Sequence, residues 1–125
     1  MRSIRKKDTR PELTVRRLLH AMGTRFRLHR ADLPGTPDIV LPRHGMAIQV
    51  HGCFWHQHPG CPLAKRPRSR PEYWHPKLAR NVERDMQSRK ALCKAGWRVL
   101  VIWECQTSHL ERLERRLTRA LARSR

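Results

Sequence analysis

The chain has 125 residues, with 28 Lys and Arg against 10 Asp and Glu and a sequence pI near 11.6. That length accommodates one domain around one core, and the expectation is a single domain over 1–125. A formal charge of +18 excludes an acidic protein and points to a polyanionic partner, because each phosphate contact releases condensed counterions.

The basic residues are spread along the whole chain rather than along one amphipathic helix, which favours nucleic acid over an anionic membrane surface. No apolar run reaches the length of a transmembrane helix, and no apolar segment follows the basic start of the chain, so neither spanning nor secretion is expected. Four cysteines, two of them interleaved with histidines, read as metal ligands in a reducing, cytoplasmic compartment rather than as disulfides.

In chain order, Thr9-Arg10-Pro11-Glu12 is a capping box, with a Thr cap, Glu three residues on and Pro in the first turn. Leu13, Leu18, Leu19 and Met22 then follow helical spacing, and Gly23 is a stop, so the first helix is predicted over 10–22. Arg25-Phe26-Arg27-Leu28-His29 alternates charged and apolar side chains as a half-buried strand does. After a loop at 33–37, Asp38 opens a second strand over 38–41. A turn at 42–45 leads into a third strand, 46–51. If those four residues form the turn, Leu41 faces Met46 and Asp38 faces Gln49. Asp38, Gln49 and His51 then share one face of the sheet.

Residues 59–76 hold five of the nine prolines together with Arg66, Arg68 and Arg70, and read as an irregular basic loop. Leu78, Val82, Met86 and Leu92 predict a helix over 77–95 ending at Gly96. The run 97–103 is the most strand-like in the chain, and its apolar character predicts burial on both faces in the middle of a sheet. A second capping box, Ser108 to Glu111, opens a helix with Leu113, Leu117 and Leu121 on one stripe. Residues 1–7 and 123–125 are expected to fray.

Chemistry concentrates in residues 50–61, where His51, His56, His58, Cys53 and Cys61 crowd around Phe54 and Trp55. Strand 46–51, helix 77–95 and strand 97–103 form a β-α-β unit, whose strands run parallel through a right-handed crossover. Cys53 and Cys105 then leave the same edge of the sheet, and Cys93 lies at the other. Cys53, His58, Cys61 and Cys105 therefore make a three-sulfur, one-nitrogen set suited to a closed, structural tetrahedral zinc. Cys93 is expected to be a small buried hydrophobe.

His51 and His56 are left beside Asp38. A carboxylate there can hold Mg²⁺ and a neutral histidine can accept or relay a proton, which together describe metal-assisted phosphodiester hydrolysis. Trp97 and Trp103 are assigned to the core by their strand context. Phe54, Trp55, Tyr73 and Trp74 fall in loop-like stretches, either as a small core over the zinc site or as wedges between bases. Arg66, Arg68 and Arg70 either hold phosphates or are solvated.

The segments 34–38, 51–58, 81–85 and 96–105 closely resemble the very short patch repair (Vsr) DNA mismatch endonucleases, in order over roughly residues 8–106. The resemblance implies an α/β, restriction-endonuclease-like fold with a mixed central sheet flanked by helices and a zinc-pinned loop. It implies Mg²⁺-dependent nicking of one DNA strand beside a T:G mismatch, a structural zinc, and aromatics that intercalate. Carried over by position, Asp38 matches the metal-binding catalytic aspartate, and His51 and His56 match the two catalytic histidines. Cys53, His58, Cys61 and Cys105 match the zinc ligands, and Phe54, Trp55 and Trp74 match the wedge. Glu12 resembles a helix-one glutamate near the metal.

Three departures stand out. Val50 occupies a position where characterised members carry threonine, which leaves a main-chain carbonyl as its route to Mg²⁺. The His58-to-Cys61 spacing is one residue longer than the familiar pattern. Gln49-Val50-His51 lacks the acid-x-Lys of the wider nuclease signature, although Pro37-Asp38 fits it. The expected partner is double-stranded DNA with a mismatch, met by a monomer on the nucleoid, with mismatch-repair or restriction–modification proteins as further partners. The rival readings are a non-catalytic zinc-stabilised DNA-binding module or restriction–modification accessory, and a basic RNA-binding zinc protein.

Overall fold

A computed structural model describes residues 8–122; the ends expected to fray lie outside the described residues. Helix α1 spans Arg10–Ala21, and its cap is as predicted: Thr9 accepts from the Glu12 N–H through its side chain. Glu12 does not complete the box at Thr9. Its carboxylate takes the Asp8 N–H instead, because two further donors draw it inward.

Strands β1 (Arg27–Leu28), β2 (Ile39–Leu41), β3 (Met46–His51) and β4 (Arg98–Trp103) form one sheet in that order. The predicted first strand shrinks to two exposed residues. β2 and β3 are antiparallel with Leu41 opposite Met46 and Ile39 opposite Ile48, so Asp38 lies level with Gln49 as expected. The turn works because Pro42–His44 form one 3₁₀ turn and Gly45, at φ +58°, supplies the left-handed residue that reverses the chain.

β3 and β4 are parallel, with His51 opposite Trp103. Two residues further on, that register brings Cys53 beside Cys105. The strands are joined by helix α2, Pro71–Lys94, which starts six residues earlier than expected. Pro76 disguised this turn in the sequence, since a proline inside a helix leaves a carbonyl without its N–H. Tyr73 and Trp74 are therefore helical, not loop residues. Helix α3, Leu110–Ala122, starts after His109, whose carbonyl accepts the first helical bond from the Leu113 N–H, and the predicted cap Ser108 lies instead in the preceding 3₁₀ turn, Glu104–Ser108.

The core sits on one face of the sheet. Val15 and Leu19 of α1 and Leu113 and Leu117 of α3 cover Ile39, Leu41, Met46, Ile48, Val50 and Ile102. Burial of each such side chain is worth about 1.5–3 kcal/mol. The opposite face, with Val40, Ala47, Gln49 and His51, looks towards α2. β4 is thus an edge strand, not a central one, and most of it is only half-buried. Its apolar character comes from lying between helices on both faces. Cys93 is exposed at the far end of α2, which corrects its assignment to the interior. Leu78 and Leu92 are fully buried, whereas Met86 is 50% exposed. Among the described residues no helix is long and apolar enough to cross a membrane.

Candidate active site

The α2 face of the sheet opens into a cleft of about 1010 Å³. Its floor is Asp38, Gln49 and His51, and its roof is a stripe of α2, Lys77, Asn81, Asp85 and Ser88, at helical spacing. The loop after β3 forms one end, with Phe54, Trp55 and His56. All three residues proposed for catalysis meet here.

His51 and His56 stack in parallel, ring centroids 3.9 Å apart and planes within 6°. His56 Nδ1 lies 2.6 Å from Asp85 Oδ2. An ionised carboxylate only accepts, so Nδ1 carries the hydrogen and Nε2 is the end left for proton exchange. His51 is 7% exposed, and burial, helped by His56 and Arg89, pulls its pKa down to about 4 against the opposing charge of Asp85. At neutral pH it is an uncharged acceptor. Its Nδ1 is buried without a hydrogen-bond partner among the described residues.

Asp38 Oδ2 accepts the Val50 N–H at 2.7 Å. Burial raises its carboxyl to about 7, the Val50 bond opposes this, and Glu12 adds to it. A cation bound beside it would favour the ionised form. The second oxygen donor follows from backbone geometry. The N–H and C=O of one strand residue point to the same side, so the Val50 carbonyl faces the side on which its N–H meets Asp38, past the end of β2. The Val50 side chain lies in the core cluster instead, where a methyl and a hydroxyl differ little for the cleft.

A second cluster lies behind this one. Cys53, His58, Cys61 and Cys105 place four ligand atoms within 4.8 Å of one another. Cys53 Sγ and Cys105 Sγ are 3.7 and 3.5 Å from His58 Nδ1. A tetrahedral ion with bonds of about 2.0–2.3 Å spaces its ligands by roughly 3.5–3.8 Å, so the donor set fits. Burial pushes the Cys53 thiol up to about 12, the Cys105 N–H opposing this. That N–H donates to Cys53 Sγ at 3.4 Å, and the Cys53 N–H goes to Glu104 Oε1 at 3.2 Å.

Trp103 separates the two clusters. Its ring stacks on His58 at 4.2 Å and meets His51 edge-on at 5.2 Å. Its assignment to the core is corrected: it is half-buried and forms the partition between the cysteines and the cleft. Trp97 is also only half-buried.

Phe54, Trp55 and Trp74 pack against one another, with centroids 5.0–6.0 Å apart, and Tyr73 adds an edge. They form an aromatic lip where the loop meets the start of α2, held by Asn81 Nδ2 donating to the Trp55 carbonyl. The arginines separate. Arg66 donates to Gln57 Oε1 at 2.8 Å and braces the loop. Arg70 lies over the Tyr73 ring at 4.9 Å, and Arg68 is exposed.

Asp85, His29 and Glu104 were not singled out by the sequence. Asp85 could have been found only by choosing it over Glu83 on α2, and that needs the face of the helix that meets the sheet.

A mixed sheet with helices on both faces, a cysteine–histidine cluster at one edge and a carboxylate–histidine cleft beside it define a restriction-endonuclease-like α/β protein. Residues 1–61 match the family described as DNA mismatch endonuclease Vsr. A Type II nicking enzyme, V.XorIIP, of Xanthomonas oryzae pv. oryzae is 54% identical over 121 residues, 97% of this chain and 88% of the relative. The DNA mismatch endonuclease Vsr of Escherichia coli is 44% identical over 113 residues, 90% of this chain and 72% of the relative. The Type II nicking enzyme V.NmeAIP of Neisseria meningitidis is 37% identical, covering 95% and 84%. The chain belongs to the Vsr DNA mismatch endonuclease family.

Proposed function

We propose that this chain is a strand-nicking DNA endonuclease that cuts beside a mismatch, T:G being the first to test, in a Mg²⁺-dependent reaction with a structural zinc. The observation that carries this is the meeting of Asp38, His51 and the His56–Asp85 pair in one cleft, on a protein of charge +18. The names of the relatives support the same chemistry. We read residues 1–125 as one such domain, acting as a monomer in the cytoplasm, alongside mismatch-repair or restriction–modification proteins.

Asp38 and the Val50 carbonyl would hold Mg²⁺, which supplies charge stabilisation at the scissile phosphate. His51, kept neutral, accepts a proton from the hydrolytic water. His56, fixed by Asp85, exchanges a proton through Nε2. Cys53, His58, Cys61 and Cys105 would hold Zn²⁺ with no open position, which ties the loop carrying His56 to the end of β4. Phe54, Trp55 and Trp74 wedge into the base stack beside the mismatch. Arg66, Arg68 and Arg70 contribute positive charge along the DNA backbone.

The test is incubation with Mg²⁺ and labelled duplexes, one for each mismatch and one fully paired. Nicking of one mismatched duplex, absent with Asp38→Ala, is the expected result. Tight binding with no cut in any duplex would leave a non-catalytic DNA-binding module.

A further inference from the structure

One carboxylate in the cleft wall is held in an unusual way. Glu12 is 2% exposed, and among the described residues its three hydrogen bonds all fall on a single oxygen, Oε2. Oε2 accepts from the Asp8 N–H at 3.0 Å and Arg16 Nη2 at 3.0 Å, and lies 3.1 Å from His29 Nε2. Among the described residues none of these bonds reaches Oε1, and Glu12 lines the cleft with Asp38. Asp8, Glu12 and His29 are close enough to hold an ion by themselves. Arg16, however, pairs with both Asp8 and Glu12 at 2.7 and 3.0 Å, so a guanidinium already occupies the space between the two carboxylates and offsets part of their charge. The cluster is better suited to aim a carboxylate than to bind a second metal.

His29 is the member whose presence needs explaining. Its backbone is left-handed, φ +45°, an uncommon conformation for a residue with a Cβ, though one that histidine adopts more readily than most. Its N–H donates to the Asp38 carbonyl at 3.1 Å, which ties it to the strand that carries the Asp38 side chain. That bond alone would brace the loop. The ring goes further and reaches Glu12 on another element.

We propose that His29 is a positioning residue, which holds the Glu12 carboxylate by Oε2 so that Oε1 is presented to the cation bound at Asp38. A carboxylate accepts only, so His29 Nε2 carries the hydrogen in this contact. The inference rests on the Mg²⁺ reading above and adds to it the residue that aims the second acid.

The experiment measures Mg²⁺ binding to the full chain by calorimetry, the Mg²⁺ needed for half-maximal nicking, and DNA binding without Mg²⁺. It compares the unmodified protein with His29→Leu, His29→Gln, Glu12→Gln and the Glu12→Gln/His29→Leu pair. His29→Leu should weaken Mg²⁺ binding and raise the half-maximal concentration by roughly tenfold or more, as loss of an outer-shell partner does, with metal-free DNA binding unchanged. His29→Gln, which keeps a donor, should recover most of the loss. The paired variant should be no worse than Glu12→Gln, since His29 acts only through Glu12.

Unchanged Mg²⁺ binding in His29→Leu, an equal loss in His29→Gln, or additive losses in the pair would each overturn the proposal. If His29→Leu fails to fold, Glu12→Gln decides, because unchanged Mg²⁺ binding there leaves His29 nothing to aim. An unmodified protein that neither binds Mg²⁺ nor nicks removes the functional reading, and this inference with it.

Discussion

His56 Nδ1 and Asp85 Oδ2 are 2.6 Å apart, across the gap between the loop after β3 and the middle of α2. The pair fixes the tautomer of a ring that also stacks on His51. Asp85→Asn keeps the shape but can donate to Nδ1, which favours the wrong tautomer. Single-turnover nicking should fall by roughly 10²–10⁴, the scale seen when a carboxylate orienting a catalytic histidine is lost. DNA affinity and zinc content should not move. Loss of binding together with rate would make Asp85 a brace for the loop instead.

The cysteines make a paired prediction. Cys105→Ser removes one of the four proposed zinc ligands, and because binding energy at such a site is folding energy, the variant should hold no zinc and melt at a much lower temperature. Cys93→Ser, exposed at the far end of α2, should change neither. Zinc content by atomic absorption and a thermal melt test both at once.

Asp38 predicts a pH dependence with a definite sign. Its folded pKa of about 7 lies above the ordinary 3.8, so the folded state binds the proton more tightly than the unfolded chain. Ionising it therefore costs stability progressively as pH rises from about 4 to about 7, and the whole cost is present above that. In Mg²⁺-free buffer Asp38→Asn should be more stable than the unmodified protein near pH ~8, by a few kcal/mol at most, and the gap should shrink towards pH ~5. Mg²⁺ competes with that proton, so the concentration for half-maximal nicking should rise about tenfold per unit below pH ~7 and level off above it. His51 works in the opposite direction: depressed to about 4, it adds stability above its ordinary 6.5 that is lost as pH falls through 4. A stability gap independent of pH in urea melts would show that Asp38 does not ionise in this window.

Gly35 ties the loop before β2 to α2. Its φ is +72°, and a Cβ there would lie 2.5 Å from Ser88 Oγ and 2.6 Å from Ser88 Cβ. Gly35→Ala should destabilise the fold by about 1–3 kcal/mol, from overpacking added to backbone strain. Adding Ser88→Gly should restore only part of the loss, because it relieves the clash and leaves the strain. Full restoration in chemical denaturation would assign the whole effect to packing.

Trp55 tests the aromatic lip. Trp55→Ala should weaken discrimination between mismatched and paired duplexes more than it weakens overall DNA affinity, since charge supplies the latter. Equal losses in a competition assay would make the lip a small core and nothing more.

Much of this was legible in the residues themselves. The Thr9 cap, Gly45 and the alternation of 38–51 are local signals, and they set the hairpin register that puts Asp38, Gln49 and His51 on one face. The proposed ligand set followed from topology: parallel strands joined by one helix release Cys53 and Cys105 at the same edge.

Other features depended on which surfaces meet. An apolar strand looks the same whether strands or helices cover it, so 97–103 read as central although β4 lies at the edge. A helix carrying Pro76 near its start reads as loop until the packing of Tyr73 and Trp74 against Phe54 and Trp55 holds the first turns in place. Asp85, His29 and Trp103 gained their positions through contacts spanning 29, 17 and about 50 residues, and no local pattern encodes a distance of that kind. The order of residues supplies the reactive groups, namely carboxylates, imidazoles, thiols and an excess of positive charge. Which of them share a hydrogen bond is settled by packing, with α1 and α2 on opposite faces of the same sheet.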